Sequence, residues 1–152
     1  MREFNLRMIH LNWDLSALYE NEIALSADLE NAKERAKSFE MVCKGKFKTL
    51  HVNEFLEAIR EYEAINETLG RIMTYAFLNF ATDSDKGGFY AKYQNEYTKI
   101  AEHLLFFELE FNTLPKTKQE EFIAASASYR YYLESLMLEK PHQLSQKEER
   151  IL

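Results

Sequence analysis

Residues 55–80 read FLEAIREYEAINETLGRIMTYAFLNF, and the spacing of their apolar side chains decides the fold class. Leu56, Ile59, Tyr62, Ile65, Leu69, Ile72, Met73, Ala76, Phe77 and Phe80 recur at threes and fours. An α-helix turns once in about 3.6 residues, so this spacing gathers them on one side, whereas a half-buried strand would alternate. The stretch therefore predicts a long amphipathic helix, with Asn53 as a candidate N-cap.

Working outward, the same period appears upstream. From about Asn21 to Val42, Ile23, Leu25, Leu29, Ala32, Ala36 and Phe39 form an approximate helical stripe, and KGKFKTLH at 44–51 interrupts it. Further upstream, Asp14 or Ser16 can cap a short turn through Tyr19. Downstream, ATDSDKGG at 81–88 marks a turn: Asp and Ser side chains bond their own backbone, and the glycine pair permits positive φ. A third helix is expected from about Phe89 to Asn112, carrying Tyr93, Tyr97, Ile100, Leu104, Phe107 and Phe111. Pro115, with Thr117 and Glu120 as a capping box, starts a fourth; Ser126, Ala127 and Ser128 weaken its end. Tyr129, Leu133, Leu136 and Met137 mark a fifth before Pro141. With only 4 Gly and 2 Pro, and no repeat or linker, residues 1–152 read as one all-α unit, an antiparallel bundle of about five helices. Phe77, Phe80, Leu104 and Phe107 are expected to be buried where the second and third helices meet.

The chain is 152 residues long and 46% hydrophobic, enough for a sizeable core, and its 14% aromatic content is expected to fill that core. A net charge of −6 and a pI near 5.3 argue against nucleic acid as a partner, because phosphate binding draws on clustered Lys and Arg. The one cysteine, Cys43, cannot form an intrachain disulfide. No signal peptide and no long apolar segment is present, so the expectation is a soluble, cytoplasmic chain without a membrane partner.

The residues suggest little chemistry of their own. A zinc site on helices needs His or carboxylate ligands on one face, and His10, His51, His103 and His142 are scattered. No H-E-x-x-H occurs. The one Glu-x-x-His, Glu139 to His142, has Pro141 inside it. The nearest approaches to a metal pair are His51 with Glu54, and His103 with a neighbouring carboxylate. Glu108 and Glu110 lie two apart, point to different sides of a helix and are expected to be solvated. Cys43 reads as a structural thiol. Tyr129, Arg130, Tyr131 and Tyr132 spread around a helix, as core and surface residues rather than a stacking platform. The expected catalytic, cofactor-binding and metal residues are none.

Several stretches, in order, resemble the N-terminal region of the oligoendopeptidase F branch of the thimet-type zinc metallopeptidases. They are NWDLSALYE at 12–20, KGKFKTL at 44–50, the run from Tyr62 through GRIMTYAFLNFATDSD to Asp85, HLLFFELE at 103–110, YRYYLE at 129–134 and KPHQLSQKEERIL at 140–152. The resemblance implies the N-terminal part of a larger, two-lobed helical peptidase with a deep channel. Its zinc is held by an H-E-x-x-H helix and a further Glu on a downstream catalytic domain not present in this chain. None of those ligands maps here, so the chain alone is expected to be non-catalytic and the zinc to belong to the longer parent. Implied partners are oligopeptide substrates and the rest of the polypeptide. Ser145 with Glu148, a capping box close to the last residue, would then start the helix leading onward. The alternative is a free-standing helical interaction module that takes a partner helix along its Tyr- and Phe-rich grooves.

Overall fold

The computed structural model describes residues 15–126, 129 and 132–137. All regular structure among them is helical, so the fold is an all-α bundle. Its α-helices are α1 (Glu22–Cys43), α2 (Val52–Thr82), α3 (Gly87–Glu102), α4 (Leu105–Thr113) and α5 (Lys116–Ala125); residues 132–137 are also helical. By its contacts the chain divides into two compact units. The first takes its described residues from Met1–Ser38 and Glu63–His103, the second from Phe39–Tyr62 and Leu104–Leu152. None of the described helices is long and apolar enough to cross a membrane.

Helix α1 begins where Asn21 Oδ1 accepts the Ala24 N–H at 2.9 Å, satisfying one of the amides that a helix start leaves open. Leu25, Leu29, Ala32, Ala36, Phe39 and Cys43 are its buried stripe. Ile23, expected in that stripe, is 81% exposed: two residues before Leu25 on a helix is more than half a turn away from it. The helix ends at Gly45, whose φ of 81° is the left-handed conformation that glycine adopts without strain.

The N-cap of α2 is His51 rather than Asn53. Glu54 Oε1 reaches back to the His51 N–H at 3.0 Å, the returning half of a capping box. Its buried stripe includes Phe55, Ala58, Ile59, Tyr62, Ile65, Leu69, Ile72 and Ala76, the expected period with corrections at both ends. Phe55 is buried where Leu56 was expected, and Phe77 and Phe80 are 41% and 36% exposed. One residue past Ala76 is about 100° around the helix. That rotation carries Phe77, and Phe80 with it, to the flank, where both rings meet Tyr90 at 6.0 and 5.6 Å.

The turn after α2 follows its side chains only in part. Asp83 Oδ1 accepts the Asp85 N–H at 3.0 Å, as the Asp-rich sequence predicts. The glycine pair does not supply positive φ: Gly87 has φ −59° and opens α3. Nor does one helix run from Phe89 to Asn112. The chain tightens at His103 and Leu104, where His103 N–H donates to Ile100 O at 3.0 Å and Phe107 N–H to Leu104 O at 3.1 Å. These three-residue steps separate α3 from α4 without any Gly or Pro. Helix α5 is capped by backbone: Lys118 and Gln119 N–H donate to Pro115 O at 2.9 and 3.0 Å, and the Thr117–Glu120 box lies inside the helix. In the last described helical stretch Leu133 and Leu136 are buried, as expected. Trp13, Asp14, Pro141, Glu139 with His142, and Ser145 with Glu148 lie outside the described residues.

The aromatics do fill the core of the second unit. Phe55 stacks on Phe122 with centroids 4.1 Å apart and planes 4° apart, and Tyr62 stacks on Phe107 at 4.1 Å and 11°. Phe47 stands edge-on to Phe55 and Phe107 at 6.0 and 5.2 Å. Phe47, Phe55, Phe107, Phe111 and Phe122 are each no more than 1% exposed. Leu104 and Phe107, unlike Phe77 and Phe80, are buried as the sequence predicts.

Candidate functional site

The polar cluster with the most chemical character in the second unit is a carboxylate shared by two tyrosines. Tyr132 donates to Glu108 Oε1 at 3.0 Å, and its oxygen lies 2.9 Å from the Tyr62 hydroxyl, which reaches the same carboxylate oxygen at 3.4 Å. Tyr62 comes from the buried stripe of α2, and its ring is held face-on by Phe107. Glu108 follows Phe107 on α4, so the core phenylalanine sets the place of both partners. Tyr132 enters from residues 132–137, its ring 6.1 Å from that of Tyr62.

Burial pushes the Tyr132 phenol well above its usual range, and the bond to Tyr62 and the Glu108 charge add to the shift. Tyr19 in the first unit is pushed up likewise, by burial and by its hydrogen bond to Asp28. These groups are hydrogen-bond donors at neutral pH and not bases. Because a phenol ionises more easily in the unfolded chain, its stabilising contribution is complete below about pH 10 and is lost as pH rises toward the folded value. Phenolate absorbance should therefore rise in two phases among the 9 tyrosines, the second coinciding with loss of helical circular dichroism; a single phase centred near pH 10 would refute the burial.

Glu108 and Glu110 do point to different sides, but neither is merely solvated. Glu110 Oε2 accepts the Gly45 N–H at 2.7 Å, tying α4 to the end of α1. Cys43 is buried beside that turn, and burial raises its thiol. His51 and Glu54 are brought together, but by a backbone cap. Among the described residues no group of three His, Cys, Asp or Glu side chains could hold a metal ion. The donor set described therefore does not fit a zinc centre, which needs three protein ligands on one ion.

The three residues of the tyrosine–carboxylate cluster all belong to stretches that carry the family resemblance: Tyr62 opens one, Glu108 lies in HLLFFELE and Tyr132 in YRYYLE. Comparison with known proteins agrees. The family model described as Oligopeptidase F matches residues 110–152. The chain is 28% identical over 148 residues to oligopeptidase PepF of Bacillus subtilis, covering 92% of this chain and 22% of that protein. The chain is thus similar, over more than nine-tenths of its length, to a protein of the oligoendopeptidase F type. An oligoendopeptidase F homolog of Borreliella burgdorferi is 28% identical over 147 residues, covering 92% of this chain and 24% of its own length. The plasmid-borne oligoendopeptidase F of Lactococcus lactis subsp. cremoris is 28% identical over 150 residues, covering 93% and 24%. The chain thus spans less than a quarter of the curated oligoendopeptidase F relatives it matches. No solved structure matches it.

The cluster itself was not legible beforehand. Tyr62, Glu108 and Tyr132 are separated by 46 and 24 residues, and nothing local to any of them marks a partner. The available signal was their common presence in the stretches on which the resemblance to oligoendopeptidase F is read.

Proposed function

We propose that residues 1–152 form the helical N-terminal domain of a zinc-dependent oligoendopeptidase, non-catalytic by itself, with the zinc domain downstream. The observation that carries this reading is similarity over more than nine-tenths of the chain to a small fraction of each peptidase relative. In this reading the domain is one wall of a substrate channel in a cytoplasmic enzyme. A recessed metal reached through such a channel accepts short flexible peptides and excludes folded domains, since only an unfolded segment can thread to it. The hydrolytic step belongs to the downstream domain.

The test has two arms. In the first, the reading frame beyond Leu152 should encode H-E-x-x-H, and the longer protein should cleave oligopeptides, lose activity on chelation and spare the folded proteins from which the peptides derive. A stop codon directly after Leu152, or equal rates on folded and peptide substrates, would overturn the proposal. In the second, the 152-residue chain should cleave no quenched fluorescent peptide and should not melt higher with zinc. A zinc site held at 100 times its Kd would add about 2.7 kcal/mol, or several degrees in Tm, so a reproducible rise would reveal a site in this chain. A second reading, an interaction module, draws on the exposed Phe77 and Phe80 rings beside Tyr90; a stop codon after Leu152 would favour it.

A further inference from the structure

The second unit gathers five lysines from two places in the sequence. Lys44, Lys46 and Lys48 alternate along the connection between α1 and α2, and Lys116 and Lys118 occupy the first turn of α5. The two groups are joined directly: Lys118 Nζ donates to Lys48 O at 2.8 Å across 70 residues of sequence. Phe47 explains why the connection presents its charges outward. Its ring is 1% exposed and wedged against Phe55 and Phe107, so the lysines on either side of it stand at the surface. Gly45 fixes the turn with its left-handed backbone, and Glu110 holds the Gly45 N–H.

Lys44, Lys46, Lys48 and Lys116 are exposed, and no ion pair to any of the five lysines occurs among the described residues. Of the carboxylates near these lysines, Glu110 accepts the Gly45 N–H and Glu54 the His51 N–H, Glu61 shares the surroundings of Cys43 with Lys46, and Glu120 and Glu121 follow on α5. No side chain caps the start of α5, and the helix dipole adds partial positive charge at that end. This patch stands on a chain whose net charge is −6. An extended polyanion such as nucleic acid would overrun it onto acidic surface, whereas a short segment bearing a few carboxylates fits within it.

We infer that the Lys44–Lys46–Lys48 connection and the first turn of α5 form a binding surface for acidic segments of oligopeptides. The source of the peptide rests on the peptidase reading above; the binding itself is a property of this chain. In the longer enzyme the surface would concentrate Glu- and Asp-rich peptides and raise their rate of capture, an effect that salt suppresses.

Fluorescence anisotropy of a labelled Glu-Ala repeat peptide with the purified chain tests this without any catalytic activity, so the result stands apart from the reading-frame arm above. Binding is expected at about 0.01 M salt, where charges are felt over about 30 Å, and should be lost near 1 M, where the range is about 3 Å. The isosteric Gln-Ala repeat should not bind. Combined Lys46→Glu, Lys48→Glu and Lys116→Glu should weaken binding at least about tenfold, roughly 1.4 kcal/mol. The same reversal at Lys33, Lys37 and Lys86, in the first unit, should change it by less than about twofold. If charge reversal disturbs the helical circular dichroism, Lys→Gln at the same three positions is read instead, with loss of binding still expected. No binding of the Glu-Ala peptide, equal binding of the Gln-Ala peptide, or equal losses from the two sets of variants would each overturn the inference.

Discussion

Replacing Phe55 by alanine should cost about 3–5 kcal/mol, the largest effect of any single truncation considered for this chain. Phe55 is fully buried, lies parallel to Phe122 at 4.1 Å and meets Phe47, Phe107 and Phe111 at 6.0, 6.1 and 6.0 Å. Truncation removes the contacts on every side of the ring at once, and close-packed rings on separate helices cannot collapse fully into the space. The companion is Phe77→Ala, which should cost less than about 1 kcal/mol because its ring is already 41% in water. Urea unfolding monitored by circular dichroism gives both values. Equal losses would mean that the face of α2 assigned to the core is wrong, and a Phe55 loss under about 1 kcal/mol would mean that the aromatic cluster does not hold the second unit together.

That pair of variants also measures what the sequence conveyed. Periodicity gave α1 and α2 nearly to the residue, because a stripe sustained over many turns has a single solution. It was least informative at the ends of α2. Leu56 and Phe55, or Phe77 and Ala76, are adjacent and equally apolar, and only the neighbouring helices decide which of each pair faces inward. The break between α3 and α4 was illegible for another reason. His103 and Leu104 are ordinary helix residues, and the interruption is a tightening of hydrogen bonds at the place where the chain passes from one packed unit to the other. Capping was misplaced by two residues at α5, where the Pro115 carbonyl is the acceptor, because a carbonyl acceptor leaves no trace in residue type. The same limit hid the lysine surface: Lys44, Lys46 and Lys48 were visible, but the Lys118 bond that joins them to α5 is not local.

Removing the Glu108 carboxylate should have the second largest effect. Glu108→Ala should cost about 1.5–3 kcal/mol, the range for a hydrogen bond to a charged acceptor, toward the lower figure because the carboxylate is half exposed. The truncation also leaves the Tyr132 hydroxyl, and with it the helical stretch 132–137, without its charged partner. The Tyr62 and Tyr132 oxygens, 2.9 Å apart, still pair with one another, which limits the loss. Glu108→Gln keeps an acceptor of the same length and should cost less than half as much; charge alone separates it from the native residue. A double-mutant cycle of Glu108→Ala with Tyr132→Phe isolates the bond between them, and its coupling should reach about 1 kcal/mol. If the two changes prove additive within about 0.3 kcal/mol, the cluster contributes nothing beyond its members' packing. In that case the burial of Leu133 and Leu136, whose side chains are 0% and 2% exposed, would be the main hold on the last described helix.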